Sequence, residues 1–107
     1  MKKLLTAILL TSTAALVANS ALAAEKISFV TEATYPPFEM MDENNEFQGF
    51  DIDIARAVCA EIQAECSFAN QSFDSLIPSL KFRRYDAAIA AMDVTPARQK
   101  QVDFSDI

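Results

Sequence analysis

The sequence has 107 residues, a formal net charge of −6, two cysteines, one glycine and neither histidine nor tryptophan. That length holds one small domain at most, and 51% hydrophobic against 22% charged residues is a globular balance, not a disordered or collagen-like one. A single glycine cannot furnish a glycine-rich phosphate loop, the lack of histidine removes imidazole ligands and imidazole catalysis, and the acidic balance argues against a nucleic-acid-binding surface.

Met1-Lys2-Lys3, the mostly apolar run from Leu4 to Ala18 and the small-x-small triplet Ala21-Leu22-Ala23 read as a secretory signal peptide over residues 1–23, cleaved after Ala23. The alternative, a membrane anchor, needs about 20 apolar residues, more than this run supplies. No cysteine stands at the cleavage site to take a lipid, so a released, soluble product in a Gram-negative periplasm is expected. Taking 23 residues from 107 leaves 84, and losing Lys2 and Lys3 leaves 7 of the 9 basic residues against 15 acidic ones, a net −8. Cys59 and Cys66, an even pair in an exported chain, read as a disulfide that pins a helix end to the next strand. Two thiols alone make a poor metal site, and no cofactor is expected.

In the remaining chain, Lys26 to Thr31 is β-branched and alternating enough for a first strand, ended by Tyr35-Pro36-Pro37. The polar cluster Asp42 to Glu46 separates Phe38–Met41 from Phe47–Phe50, which suggests a small hairpin or a surface excursion. From Asp51 the period changes. Ile54, Val58 and Ile62 recur every four residues with Ala55 and Cys59 beside them, giving an amphipathic helix over about Ile52 to Gln63. Cys66 to Asn70 is a short second strand. Ser72 or Asp74 then caps a helix carrying Phe73, Leu76, Ile77 and Leu80, which Pro78 keeps short or irregular. Asp86 to Met92 lacks alternation and reads as a strand buried on both faces, although its alanines also suit a helix. Thr95 caps a last helix with Pro96 at its first position.

Strand, helix, strand, helix, strand is the order of a parallel α/β sheet with right-handed crossovers, and ligands in such sheets bind beyond the carboxyl ends of the strands. Those ends are Glu32 to Tyr35, Gln71 to Phe73 and Ala90 to Asp93. The rim so formed holds two acids, Glu32 and Asp93, two aromatics, Tyr35 and Phe73, and the cation Arg98 in the first turn of the last helix. The set suits a zwitterion: Arg98 takes a carboxylate through two parallel hydrogen bonds, helped by the positive end of its helix, an acid takes an ammonium, and the aromatics sandwich a side chain. The plainer alternatives are Arg98 paired with surface carboxylates, aromatics packed in the core and acids merely solvated.

Gly49-Phe50-Asp51-Ile52-Asp53-Ile54-Ala55-Arg56-Ala57-Val58-Cys59 resembles the signature of family 3 solute-binding proteins, the periplasmic receptors that deliver polar amino acids to ABC importers. Tyr35-Pro36-Pro37-Phe38-Glu39, Phe73-Asp74-Ser75-Leu76-Ile77-Pro78-Ser79-Leu80 and Met92-Asp93-Val94-Thr95-Pro96-Ala97-Arg98 resemble further blocks of that family in the same order, so the resemblance covers residues 24–107. Cys59 and Cys66 also fall where the lysine/arginine/ornithine and histidine receptors have a disulfide. The blocks are most similar to the arginine-binding branch. The resemblance therefore implies L-arginine or a related cationic amino acid as ligand, with Arg98 on the α-carboxylate, Asp93 near the α-ammonium and Ala90 and Ala91 as main-chain contacts. Tyr35 and Phe73 would lie on the ligand side chain and Glu32 would face the guanidinium. Where histidine-type receptors have serines, this chain has Ala90, Ala91 and Asp93, so the alanines offer backbone groups alone.

The resemblance further implies a type II periplasmic binding fold of two α/β lobes, a permease partner in the inner membrane, and a monomer. Family members are longer, so residues 24–107 are expected to form only part of lobe 1, with the hinge and second lobe absent. Two alternatives stand beside the receptor: a piece with no activity of its own, and a periplasmic dehydratase-type enzyme on the same fold, for which Glu32 or Asp93 would have to act as acid or base.

Overall fold

The computed structural model describes residues 23–106. The leader assigned to residues 1–23 lies, except for Ala23, outside that range. Nine elements follow one another: β1 (Lys26–Thr31), β2 (Thr34–Tyr35), β3 (Glu39–Met41), β4 (Phe47–Gln48), α1 (Phe50–Glu61), β5 (Glu65–Asn70), α2 (Phe73–Lys81), β6 (Ala87–Ala88) and α3 (Pro96–Gln99).

The main sheet has three parallel strands in the order β5-β1-β6, with Lys26 opposite Glu65 through Thr31 opposite Asn70, and Phe29 and Val30 opposite Ala87 and Ala88. The chain steps from β1 to β5 on one side and then crosses to β6 on the other. Right-handed crossovers in opposite directions put α1 and α2 on opposite faces of the sheet. Alternate β1 side chains accordingly face different partners: Val30 is buried with Leu76 of α2 and Ala90, while the Phe29 ring stacks on Phe68 at 5.6 Å, with Phe47 and the Arg56 guanidinium also against Phe68.

The excursion between β1 and α1 is a second, antiparallel sheet in the order β2-β3-β4, a strand more than the hairpin expected from sequence, because Thr34 and Tyr35 pair with Met40 and Glu39. It ends at Gly49, whose φ of 126° no other residue type adopts without strain. A Cβ there would also collide with the Phe38 carbonyl.

Both long helices stop in the same way. Gln63 (φ 57°) and Arg83 (φ 56°) adopt the left-handed conformation, and the Ala64 and Arg84 N–H groups donate back to the Cys59 and Ser79 carbonyls. Thr95 caps α3 as expected, its Oγ1 accepting from the Arg98 N–H at 3.2 Å. Ser72 holds the N-cap position of α2, but its hydroxyl pairs with that of Ser75 rather than with a backbone N–H.

Two expectations are corrected. The strand expected over Asp86 to Met92 is only Ala87–Ala88, because it has a partner on one side alone and the chain turns away at Ala91, whose φ is 46°. On α1 the buried face is Ile52, Ala55 and Cys59, whereas Ile54, Val58 and Ile62 are 46%, 48% and 52% exposed. The four-residue repeat marks an apolar stripe beside the face that meets the sheet. Cys59 and Cys66 form the expected disulfide, with Cα atoms 6.1 Å apart, linking the last turn of α1 to β5.

Candidate functional site

Three strand ends meet at one rim. After β1, Glu32 is half-buried, and the Thr34 N–H donates to its carbonyl. After β5, the Gln71 N–H donates to the Thr31 carbonyl and the Asn70 Oδ1 accepts from the Ala33 N–H at 2.9 Å, so β1 and β5 are tied together where they end. After β6, the Ile89 N–H donates to the Val30 carbonyl, and the Ala91 N–H donates to Asp51 Oδ2 at 2.9 Å. A helix-start side chain on α1 thereby holds the turn that follows β6.

Phe73 opens α2, half-buried against the Val30, Leu76 and Ala90 core, and the Arg98 guanidinium lies 5.4 Å from the centre of its ring. One Arg98 nitrogen, Nη1, donates to the Asp93 carbonyl at 2.8 Å, tying the cation to the segment between β6 and α3. Among the described residues Arg98 makes no ion pair. A guanidinium has five N–H donors, so donors remain for an incoming carboxylate. Asp93 contributes its carbonyl to Arg98, and its side chain is exposed. Tyr35 is 55% exposed, with its ring 5.3 Å from that of Phe38. Ala90 is buried in the core, whereas Ala91 is exposed, so of the two alanines it is Ala91 that lies open to solvent.

The contacts join Phe73, Arg98 and Asp93 directly, with Ala90 and Ala91 two positions and more upstream in the same segment. Glu32 follows the end of β1 in the parallel sheet, and Tyr35 lies on β2 of the antiparallel sheet that continues from it. The four-residue α3 is too short to lend Arg98 the support of a helix dipole, so the ring of Phe73 and the Asp93 carbonyl are what position it.

The sequence profile of the bacterial extracellular solute-binding proteins, family 3, matches residues 27–107. The chain belongs to that family. The ABC transporter arginine-binding protein 1 of Escherichia coli K12 is 60% identical over 105 residues, which is 98% of this chain and 42% of that protein. A periplasmic binding protein of Salmonella typhimurium, described for its high arginine specificity, superposes with a TM-score of 0.76 at 61% identity, covering 78% of this chain and 37% of that one. An ancestral cyclohexadienyl dehydratase superposes at 0.72 with 32% identity, covering 76% and 34%. This family 3 chain thus spans about two-fifths of the length of the curated relative, and its architecture is that of the type II periplasmic binding proteins.

Sequence reasoning passed over three residues of this family 3 rim. Asn70 and Asp51 each hold a strand-end turn by accepting a backbone N–H, a role invisible until the fold brings residues 37 and 40 positions apart together. The third is Glu39, 1% exposed, whose Oε2 meets no hydrogen-bond donor. Its carboxyl is pushed up to about 8, first by burial, then by a hydrogen bond with Asp51 and by the negative charges of Asp51 and Glu32. Glu39 sits where the start of α1 docks on the loop before β3, the Phe50 and Asp51 N–H groups donating to the Pro37 and Phe38 carbonyls at 2.9 Å.

Proposed function

We propose that residues 24–107 supply part of lobe 1 of a two-lobed periplasmic receptor that captures L-arginine or a related cationic amino acid and delivers it to an ABC permease in the inner membrane. Residues 1–23 act as the export signal, and the receptor works as a monomer, without cofactor, nucleic acid or covalent chemistry. The observation that carries this reading is Arg98: a guanidinium stacked on Phe73, tethered at one nitrogen by the Asp93 carbonyl and free of carboxylate partners among the described residues. Such a group is preorganised for an α-carboxylate. Asp93 then takes the α-ammonium, Ala90 and Ala91 offer backbone contacts, Tyr35 and Phe73 flank the ligand side chain, and Glu32 faces its cationic end. Relatives named for arginine support the choice of ligand.

Calorimetric titration of the full-length protein with L-arginine tests this reading. Saturable binding is expected, falling by about a hundredfold in Arg98→Ala, the loss of a charge-assisted bidentate contact. An Arg98→Ala variant that binds normally removes the carboxylate role. The second reading, a dehydratase, is favoured by one observation, the ancestral dehydratase among the similar folds. Turnover of cyclohexadienyl substrates by the purified protein decides for it.

A further inference from the structure

The Phe50 and Asp51 N–H groups donate to the Pro37 and Phe38 carbonyls at 2.9 Å, which sets the start of α1, and Asp51 with it, against Glu39. Two ionised carboxylates have no donor between them, so a hydrogen bond between these two side chains forms only while one of them carries a proton. The Glu39 side chain is buried, with an Oε2 that no donor reaches, an environment that suits a neutral carboxyl and penalises a charged one. Asp51 is half-buried, and its Oδ2 already accepts from the Ala91 N–H. Ala91 needs that support, because its φ of 46° is a left-handed conformation that an alanine adopts only when its surroundings impose it.

We propose that Glu39 and Asp51 form a proton-sharing brace that sets the Ala91 turn at the ligand rim, so that losing the shared proton loosens the turn and weakens ligand capture. Glu39 and Asp51 are positioning residues, acting on the ligand through Ala91; the part of the inference that concerns ligand capture rests on the arginine-receptor reading. The groups that face Glu39 are Asp51 from α1, Glu32 from the turn after β1, and Tyr35, its cross-strand neighbour on β2. No cation is among them. When Glu39 gives up its proton to solvent, a second negative charge is left buried beside Asp51, and the bond between the two carboxyls has no proton to form it. Asp51 must then move or take up water, and the Ala91 N–H loses a fixed acceptor.

The test is made on the full-length protein and its Glu39→Gln variant, whose amide donates to Asp51 without titrating. In the ligand-free state, the Ala91 amide resonance is followed by NMR from about pH 6 to about pH 9.5, alongside the side-chain carboxyl carbon of Glu39. Both are expected to move together with a midpoint near 8 in the wild type, and the Ala91 shift is expected to vanish in Glu39→Gln. Binding of L-arginine is measured over the same range. Titration of the ligand's own ammonium is common to both proteins, so the ratio of their affinities isolates the brace; wild type is expected to lose up to about tenfold per pH unit above the midpoint relative to Glu39→Gln. An Ala91 amide that follows pH identically in both proteins overturns the proposal. So does a Glu39 carboxyl already ionised at pH 6, a measurement that needs no variant. A flat affinity ratio overturns the coupling to ligand capture. If neither protein binds arginine at any pH while Ala91 titrates as described, the brace stands and the choice of ligand falls.

Discussion

Burial of Glu39 ties the stability of the fold to pH in a direction opposite to most carboxylates. Its folded value lies near 8 against an ordinary 4.5, so between those limits the folded state holds a proton that the unfolded state has released. Stability contributed by the neutral group is therefore complete below about pH 4.5 and falls as pH rises toward 8. Asp86 works the other way. The Ser28 N–H and hydroxyl both donate to its Oδ2 at 2.8 Å and hold its carboxyl below the ordinary 3.8, so its contribution is present above that value and is lost as pH falls through its lower folded one. Chemical denaturation at a series of pH values is expected to show stability declining from weakly acidic to mildly alkaline conditions, with Glu39→Gln flattening that decline. A slope unchanged in the variant assigns it to other groups. The places of Arg98 and Phe73 in the fold were legible in the sequence, because Thr-Pro-x-Arg fixes a cap and a cation one turn later and Phe73 begins α2. Glu39 and Asp51 were not, because their roles depend on strand pairing and on a contact across 40 positions.

The elements themselves were readable where local chemistry decides them and not where a partner does. β1 was placed residue for residue, and Thr95 with Pro96 announced α3. The end of α1 was read two residues late because a chain with one glycine stops its helices on Gln63 and Arg83. Left-handed backbone at a non-glycine residue costs about 1–2 kcal/mol. Gln63→Gly and Arg83→Gly are therefore expected to raise stability by up to about 1 kcal/mol each, after the larger chain entropy of an unfolded glycine is set against that strain. Gly49→Ala has the opposite sign: the positive φ and the collision with the Phe38 carbonyl together cost about 2 kcal/mol or more. Thermal melts of the three variants check both signs. The disulfide acts on the same joint as Gln63. It closes a short loop between positions separated by 7 residues, and its reduction is expected to cost about 2 kcal/mol, seen as a lower melting temperature in dithiothreitol.

The molecule as a whole is governed by the open side of β6. Beyond that edge strand runs a groove of about 550 Å³, lined by Ile54, Val58, Leu80, Ala88, Met92 and Phe104 among others, and it joins the exposed apolar stripe of Ile54, Val58 and Ile62. The periodicity was sound as a statement about polarity, since Ile54 and Val58 are suited to burial even though β1 and β5 do not cover them. The relative from Escherichia coli K12 carries more than half of its length outside the matched region, and an edge strand with an apolar margin is the natural place for further chain to pack. Ile54→Lys separates the two states of this surface. In residues 24–107 alone the groove is open, so the substitution is expected to change stability by less than about 0.5 kcal/mol and to reduce the binding of a hydrophobic dye. In a protein of the relative's length, polypeptide lying over the groove makes Ile54 a core residue, and burying a lysine in its place costs about 2 kcal/mol or more. Equal and small effects in both contexts leave α1 with a solvent-facing apolar stripe, and β6 is then a true edge of the finished sheet.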